Sequence, residues 1–283
     1  ISFQVGRGEI FGIVGPNGAG KTTTVECLSG LRRPDSGRVR VLGLDPVRDE
    51  RELRKRLGLQ LQQAALPDDL RVAEALDLFA AFYANHVDPK RLMADWGLAE
   101  KARARFANLS GGQKQRLFIA ISLVNDPELV VLDELTTGLD PQARHSTWDL
   151  VERLRDGGKT VVLVTHYMEE AERLCDRVAV VDHGKLLALD TPEGLVRSLG
   201  GGTQRVRFTA PERLDCAALE RLPGVEAVSR NNGEVIVSGS KVLGSVVRTL
   251  DAAGYVPDDL RSERTTLEDV FLALTGRQMR ETA

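Results

Sequence analysis

Short apolar runs alternate with longer amphipathic stretches through the first two hundred residues of the chain. Runs rich in Val, Leu and Ile predict buried strands at Phe11–Val14, Glu128–Asp133, Thr160–Thr165 and Val178–Val181. The helical period predicts helices at Gly20–Leu28, Val72–Ala84, Gln113–Val124, Gln142–Arg155 and Met168–Cys175. Strands that alternate with helices are typical of an α/β protein in which helices cover a mainly parallel sheet.

The pattern changes after the glycines at 200–202, and a second domain is predicted there. The predicted elements are strands at Gln204–Thr209, Val225–Ser229 and Glu234–Val237, an extended segment at Tyr255–Ser262, and helices at Leu214–Leu222, Val242–Ala253 and Leu267–Thr275. Asn231-Asn232-Gly233 is a strong hairpin signal because Asn and Gly tolerate positive φ. The order βαββαβ with a terminal helix predicts a small ferredoxin-like α+β module. We therefore expect domains at 1–198 and 203–283.

Composition and charge narrow the possible partners. The 283 residues carry a formal net charge of −3, which disfavours a surface that grips nucleic acid through excess Lys and Arg. No apolar run approaches the roughly 18–20 residues that cross a bilayer. The chain begins at Ile1 without a Met or an apolar leader, which is typical of a trimmed sequence.

A glycine-rich loop follows the first predicted strand and precedes the first predicted helix. The consecutive residues are Gly15, Pro16, Asn17, Gly18, Ala19, Gly20, Lys21, Thr22 and Thr23. They match GxxxxGK[ST], in which backbone amides and a helix N-terminus bind phosphates. Lys21 is expected to reach the β- and γ-phosphates, and the Thr22 hydroxyl to coordinate Mg²⁺.

A pair of acids ends the apolar run Glu128–Asp133. Buried carboxylates at a strand end are costly unless they meet a metal or water, although such a pair can also be an ordinary surface cap. Downstream of a phosphate-binding loop, Asp133 fits the acid that holds Mg²⁺ through water. Glu134 fits the base that polarises the attacking water.

Leu109-Ser110-Gly111-Gly112-Gln113 stands before the helix predicted at Gln113–Val124. Ser-Gly-Gly at a helix start is either an ordinary N-cap or an anion cradle. With the other motifs in this order, residues 1–198 resemble the ATP-binding subunits of ABC transporters. The resemblance implies a P-loop NTPase with a RecA-like core, a helical subdomain and an antiparallel β-subdomain.

The resemblance also implies roles for residues outside the phosphate-binding loop. In the family, Ser110, Gly111, Gly112 and Gln113 would close over ATP held by a second subunit, and Asp140 would communicate across that interface. His166 would contact the γ-phosphate. Counting back from Leu70-Arg71-Val72 selects Gln62 to sense Mg²⁺ and the attacking water and to relay this to the membrane partner, with Gln63 the rival.

This chain departs from the family pattern at two places. Leu135 stands where the family usually has Pro, whose fixed φ would stiffen the turn after Glu134. The family's first strand and its adenine-stacking A-loop aromatic residue lie upstream of this sequence, and Phe3 is too close to the loop to replace that residue.

The tail indicates the branch of the family. Residues 265–276, TTLEDVFLALTG, resemble the closing segment of bacterial drug-export subunits such as the daunorubicin-resistance group.

The resemblance as a whole implies an ATPase that dimerises on binding MgATP, with a homodimer expected. It would power a separate integral membrane permease from the cytoplasmic face of the cell membrane, with drug or lipid-like export expected and no nucleic acid bound. The alternative is a soluble ABC ATPase acting on nucleic acid or ribosomes. It is disfavoured by the acidic balance and by the spacing of 48 residues between Gln62 and Ser110, which leaves no room for a long coiled coil.

Overall fold

The computed structural model describes residues 1–61, 64–198, 203–211, 214, 216–231 and 233–276. The chain divides into two compact units, Ile1–Pro192 and Glu193–Ala283. Within the described ranges, no helix has the length and hydropathy that a membrane span requires.

The elements of the first unit follow the predicted alternation of strands and helices. In chain order they are β1 (Ile10–Val14), α1 (Lys21–Leu28), α2 (Glu50–Arg56), β2 (Leu57–Gln60), α3 (Val72–Ala80), α4 (Pro89–Asp95), α5 (Gly111–Ser122), β3 (Leu129–Asp133), α6 (Pro141–Asp156), β4 (Thr160–Thr165), α7 (Met168–Leu174), β5 (Arg177–Asp182) and β6 (Lys185–Asp190).

These strands form one sheet in the order β2-β3-β4-β1-β5-β6. The neighbours from β2 to β5 are parallel, and β6 pairs antiparallel with β5 at the edge. Outside this sheet, the described part of the predicted β-subdomain contains one isolated antiparallel bridge between Val41 and Leu44. The parallel core confirms the predicted α/β class.

The strands that form in the predicted apolar runs are buried, although Glu128, the first residue of one run, is exposed and lies outside β3. Every residue of β1, β3 and β4 is buried, because helices cover both faces of the parallel sheet. Phe3 stacks on Phe11 of β1 with ring centroids 5.2 Å apart, so its ring belongs to this core. Leu135 is also fully buried, and its side chain anchors the turn after β3.

Helix α3 is shorter than the predicted helix at Val72–Ala84. It ends at Ala80, and Phe82 and Tyr83 continue in tight turns through amides that bond Phe79 O and Ala80 O. Phe82 is 71% exposed, so the apolar period continues beyond the point where tertiary packing supports a helix.

The second unit contains the remaining elements. They are α8 (Pro192–Ser198), which begins at the boundary residue, β7 (Thr203–Thr209), α9 (Cys216–Glu220), β8 (Val225–Asn231), β9 (Glu234–Ser240), α10 (Leu243–Ala252), β10 (Arg261–Arg264) and α11 (Leu267–Thr275). The antiparallel sheet has the order β10-β7-β9-β8, the arrangement of a ferredoxin-like βαββαβ unit. Phe208 and Val237 of this sheet share a core with Leu250 of α10.

The last strand and the hairpin turn of this unit can be compared with their predicted positions. The last strand of the sheet is Arg261–Arg264, which pairs with β7, whereas the sequence predicted an extended segment over Tyr255–Ser262. The Asp259 carboxylate accepts hydrogen bonds from the amide and hydroxyl of Thr209, so a side chain replaces backbone pairing there. In the predicted hairpin turn, Gly233 has φ 85°, and Asn232 lies outside the described residues.

Candidate functional site

The glycine-rich loop joins β1 to α1 at the carboxyl edge of the parallel sheet. A Cβ at Gly15 would lie 2.2 Å from the carbonyl oxygen of Val181, so the position excludes any side chain. Gly18 and Gly20 have φ values of 82° and 99°, which glycine adopts without strain. The Ala19 amide donates to Pro16 O, and the Gly184 amide donates to Ala19 O. The sequence therefore builds a rigid loop that backbone contacts hold in place.

Lys21 is the first residue of α1 and is 6% exposed. Its Nζ donates to the carbonyl oxygens of Gly15 at 2.7 Å and Pro16 at 3.1 Å. Burial lowers the pKa of this ammonium, while the charges of Glu134 and Asp133 oppose that shift. The ammonium group of Lys21 therefore packs against the glycine-rich loop, at the carbonyl oxygens of Gly15 and Pro16.

A cavity of about 340 Å³ opens at the N-terminus of α1. It is lined by Asn17, Gly18, Gly20, Lys21, Thr22, Thr23 and Glu134. Among the described residues, no side chain caps the amides of this helix, so they point at the cavity with the positive end of the helix dipole. Backbone amides, hydroxyls and one ammonium are groups that bind a polyphosphate.

Asp133 ends β3 beside this cavity and is 2% exposed. Burial, together with the charge of Glu134, raises the pKa of Asp133 to about 6, although the charge of Lys21 opposes the shift. Its Oδ2 is buried and has no hydrogen-bond partner within the described ranges. This unpaired, buried carboxylate oxygen suits a hard divalent cation, which prefers oxygen ligands. The hydroxyl of Thr22 on α1 offers a second oxygen of that kind.

Glu134 and His166 meet at the same edge. The Glu134 amide donates to Val164 O, and its backbone has φ 51°, a strained value for a residue with a side chain. Oε1 of Glu134 lies 3.3 Å from Nδ1 of His166, and both side chains are largely buried. The strained residue therefore directs its carboxylate to the cavity and to the histidine together.

The segment Ser110–Gln113 lies at the start of α5, as predicted. Ser110 Oγ accepts from the Gln113 amide, and Gln113 Oε1 accepts from the Ser110 amide, which forms a capping box. A Cβ at Gly112 would lie 3.2 Å from Cβ of Ala143 on α6. Asp140 caps α6 by accepting from the Ala143 amide. These residues do not line the cavity at the start of α1 in their own chain.

Comparison with known proteins decides the family. Residues 1–137 match the family model described as ABC transporter. The chain is 41% identical over 295 residues to the daunorubicin resistance ATP-binding protein DrrA3 of Streptomyces coeruleorubidus, covering 100% of this chain and 93% of that protein. The chain belongs to the ABC transporter ATP-binding proteins.

Further relatives agree with this ABC ATPase assignment. The chain is 39% identical to the Nod factor export ATP-binding protein I of Burkholderia lata, over 99% of this chain and 92% of that protein. A solved ATP-binding subunit of an ABC transporter covers 71% of this chain and 85% of its own, with a TM-score of 0.63 and 28% identity. A dimeric cassette bound to ADP and Pi in a post-hydrolysis state covers 68% of this chain and 88% of its own, with a TM-score of 0.60 and 29% identity.

One predicted part of the ABC ATPase pattern, the sensing glutamine, falls outside the part of the chain that the structure describes. Gln62 and its rival Gln63 lie outside the described residues. Nearby, Gln60 is buried, and its Nε2 donates to Leu61 O.

Glu170 is a buried acid that the motif analysis missed. Its side chain is fully buried on α7, and Oε1 accepts hydrogen bonds from Thr136 Oγ1 and Trp148 Nε1, each at 2.9 Å. Burial raises its pKa, while hydrogen bonds from Thr165, Trp148 and Thr136 oppose the shift. The available sequence signal was an acid in the first turn of a helix whose other inward positions are apolar.

Proposed function

We propose that this ABC ATPase exports a drug-like or lipid-like compound by closing and reopening as a homodimer on an integral membrane permease. The observation that carries the export proposal is the 41% identity, along the whole chain, to a daunorubicin resistance ATP-binding protein. The relative named for Nod factor export supports the same direction of transport. The cargo would contact the permease, which holds this chain at the cytoplasmic face of the membrane, and nucleic acid has no part in the cycle.

The phosphates of ATP would occupy the cavity at the start of α1. Amides of Gly18, Gly20 and the first turn of α1 would bind the β-phosphate. Lys21 Nζ would exchange its loop carbonyls for phosphate oxygens, a stronger charge-assisted interaction.

Asp133 and Thr22 are the residues that would hold Mg²⁺, with Gln62 completing the set. The unpaired buried Oδ2 of Asp133 supports this assignment. When bound, Mg²⁺ neutralises charge that develops on the phosphate oxygens.

Glu134 would act as the general base toward the attacking water. Its carboxylate lines the cavity, and its contact with Nδ1 of His166 supports a role for the histidine in orienting that carboxylate and the γ-phosphate. A positioned base of this kind contributes roughly 10²–10⁴-fold in rate.

Ser110, Gly111, Gly112 and Gln113 would bind the γ-phosphate held by the other subunit. Two observations support binding in trans: Ser110 and Gly111 are exposed, and the segment Ser110–Gln113 does not line its own chain's cavity. Asp140 would relay the closure, because the helix that it caps packs on Gly112 through Ala143. ATP thus bridges two subunits, and its hydrolysis lets them separate.

The experiment is to purify the tagged chain from membranes of its own host and to measure ATP hydrolysis and co-purification of a polytopic membrane protein. E134Q should bind MgATP, accumulate as a dimer in size exclusion and lose at least 100-fold in kcat. K21A is the control that should neither bind ATP nor dimerise. Hydrolysis by E134Q at the parental rate would refute the assignment of the base.

Export is tested separately in inverted vesicles that contain the complex. ATP-dependent accumulation of daunorubicin or of a fluorescent lipid supports export. Accumulation of neither compound in vesicles that hydrolyse ATP would contradict the proposed cargo class.

A further inference from the structure

A single buried carboxylate connects the elements that carry Glu134 and His166. Thr136 lies two residues after Glu134 and is fully buried, and its hydroxyl donates to Glu170 Oε1 at 2.9 Å. Glu170 lies on α7, which begins at Met168, two residues after His166. The same Oε1 accepts from Trp148 Nε1 on α6. One oxygen atom therefore joins the loop after β3, α6 and the helix after β4.

The loop after β3 needs an external restraint. Glu134 has φ 51°, and a non-glycine residue holds such a value only where its surroundings over-determine the backbone. Leu135 is buried, and the Leu139 amide donates to Thr136 O. Thr136 therefore holds the middle of the loop through its backbone. The hydroxyl of Thr136 is held from outside the loop by Glu170.

Residues of β4 and α6 also hold the segment that carries His166. The Tyr167 amide donates to Thr165 Oγ1, and the guanidinium of Arg144 on α6 lies 4.7 Å from the Tyr167 ring centroid. The ring of His166 contacts that of Tyr167, with centroids 4.2 Å apart. A shift of α7 relative to α6 would therefore move His166 relative to Glu134.

We propose that Glu170 is a positioning residue for ATP hydrolysis, which sets the spacing between Glu134 and His166 through its hydrogen bonds to Thr136 and Trp148. The proposal rests on the roles given to Glu134 and His166 above. Glu170 does not line the phosphate-binding cavity, so it acts on geometry and not on the nucleotide. Burial of a carboxyl group costs free energy that an apolar residue would avoid, and a geometric role explains why an acid lies there.

The test compares Glu170→Leu with Glu170→Gln in the full chain bound to its permease. Leu removes the acceptor and leaves two buried donors unpaired, whereas Gln keeps an acceptor oxygen of the same reach. E170L should lose roughly 10–100-fold in kcat, since displacement by about 1 Å can cost 10²-fold, with KM for ATP within about threefold. E170Q should stay within about threefold of the parent. L174A on the same helix is the matched control, because it opens a cavity at a buried position and should lower Tm while preserving kcat.

Milder variants cover the case in which E170L does not fold. T136V and W148F each remove one donor and should each lower kcat, and the double variant should lose less than the product of the two. Parental kcat in T136V and W148F, or equal kcat losses in E170Q and E170L, would overturn the proposal. Its failure is separable from failure of the proposed function, because E134Q alone reports on the assignment of the base.

Discussion

Nδ1 of His166 lies 3.3 Å from Oε1 of Glu134, although 31 residues lie between them in the chain. The two residues follow neighbouring parallel strands, β3 and β4, in which Asp133 pairs with Val164. Parallel strands end at the same edge of a sheet, so register brings the two side chains together.

This contact predicts that H166A lowers kcat by roughly 10–100-fold while nucleotide binding persists. Without the imidazole, the Glu134 carboxylate loses the contact that orients it toward the cavity. Steady-state hydrolysis and binding of a fluorescent ATP analogue measure the two effects. H86A is the control, because His86 is exposed and its Nδ1 lies 3.1 Å from the carbonyl oxygen of its neighbour Val87. Equal losses in H86A and H166A would argue against the contact's role.

Gly15 predicts a steric effect on both stability and ATP binding. In G15A the new Cβ would overlap the Val181 carbonyl, so the loop or β5 must move. We expect a loss of about 1–3 kcal/mol in the free energy of unfolding and weaker ATP binding. Urea denaturation measures the first and titration calorimetry the second. G6A should change stability by less than about 0.5 kcal/mol, since its Cβ would meet only the flexible Glu9 side chain.

Asp133 predicts a pH dependence of stability in EDTA without nucleotide. Its pKa is about 6 in the folded chain against 3.8 for the unperturbed group, so its contribution to stability is lost as pH rises through 6. D133N removes the charge. The variant should therefore gain about 2 kcal/mol relative to the parent between pH 4.5 and pH 8. Urea denaturation across this range checks the slope, with D258N as an exposed control; a pH-independent difference would contradict the expectation.

The positive φ of Glu134 predicts that glycine is more stable there than alanine. Both E134G and E134A lack the carboxylate, but only alanine places a Cβ in the left-handed region at a cost of about 1–2 kcal/mol. Chemical denaturation should rank E134G above E134A by up to about 1 kcal/mol. At the exposed helical position Glu172 the order should reverse, because glycine weakens a helix interior. Alanine more stable than glycine at both positions would mean that the turn after β3 carries no strain.

The motif residues were predictable because each motif is consecutive in the chain and its chemistry is local. Residues of the loop Gly15–Thr23 line the cavity at the start of α1, and Asp133 ends a strand whose apolar run is visible in the sequence. The ferredoxin-like order of the second unit follows from alternating periods and a hairpin signal in the same way. Boundaries such as the end of α3 were less accurate, since packing decides where an amphipathic pattern stays helical.

Long-range contacts had no such local signal. Glu170 receives hydrogen bonds from residues 34 and 22 positions away, and no spacing in the sequence indicates that these three side chains meet. The φ of Glu134 and the burial of Leu135 likewise have no local signal in the sequence, and the Glu134 amide bonds Val164 O of β4, thirty residues away. Consecutive residues form the loop that lines the cavity, whereas the spacing between Glu134 and His166 comes from strands and helices that meet only when the chain is folded.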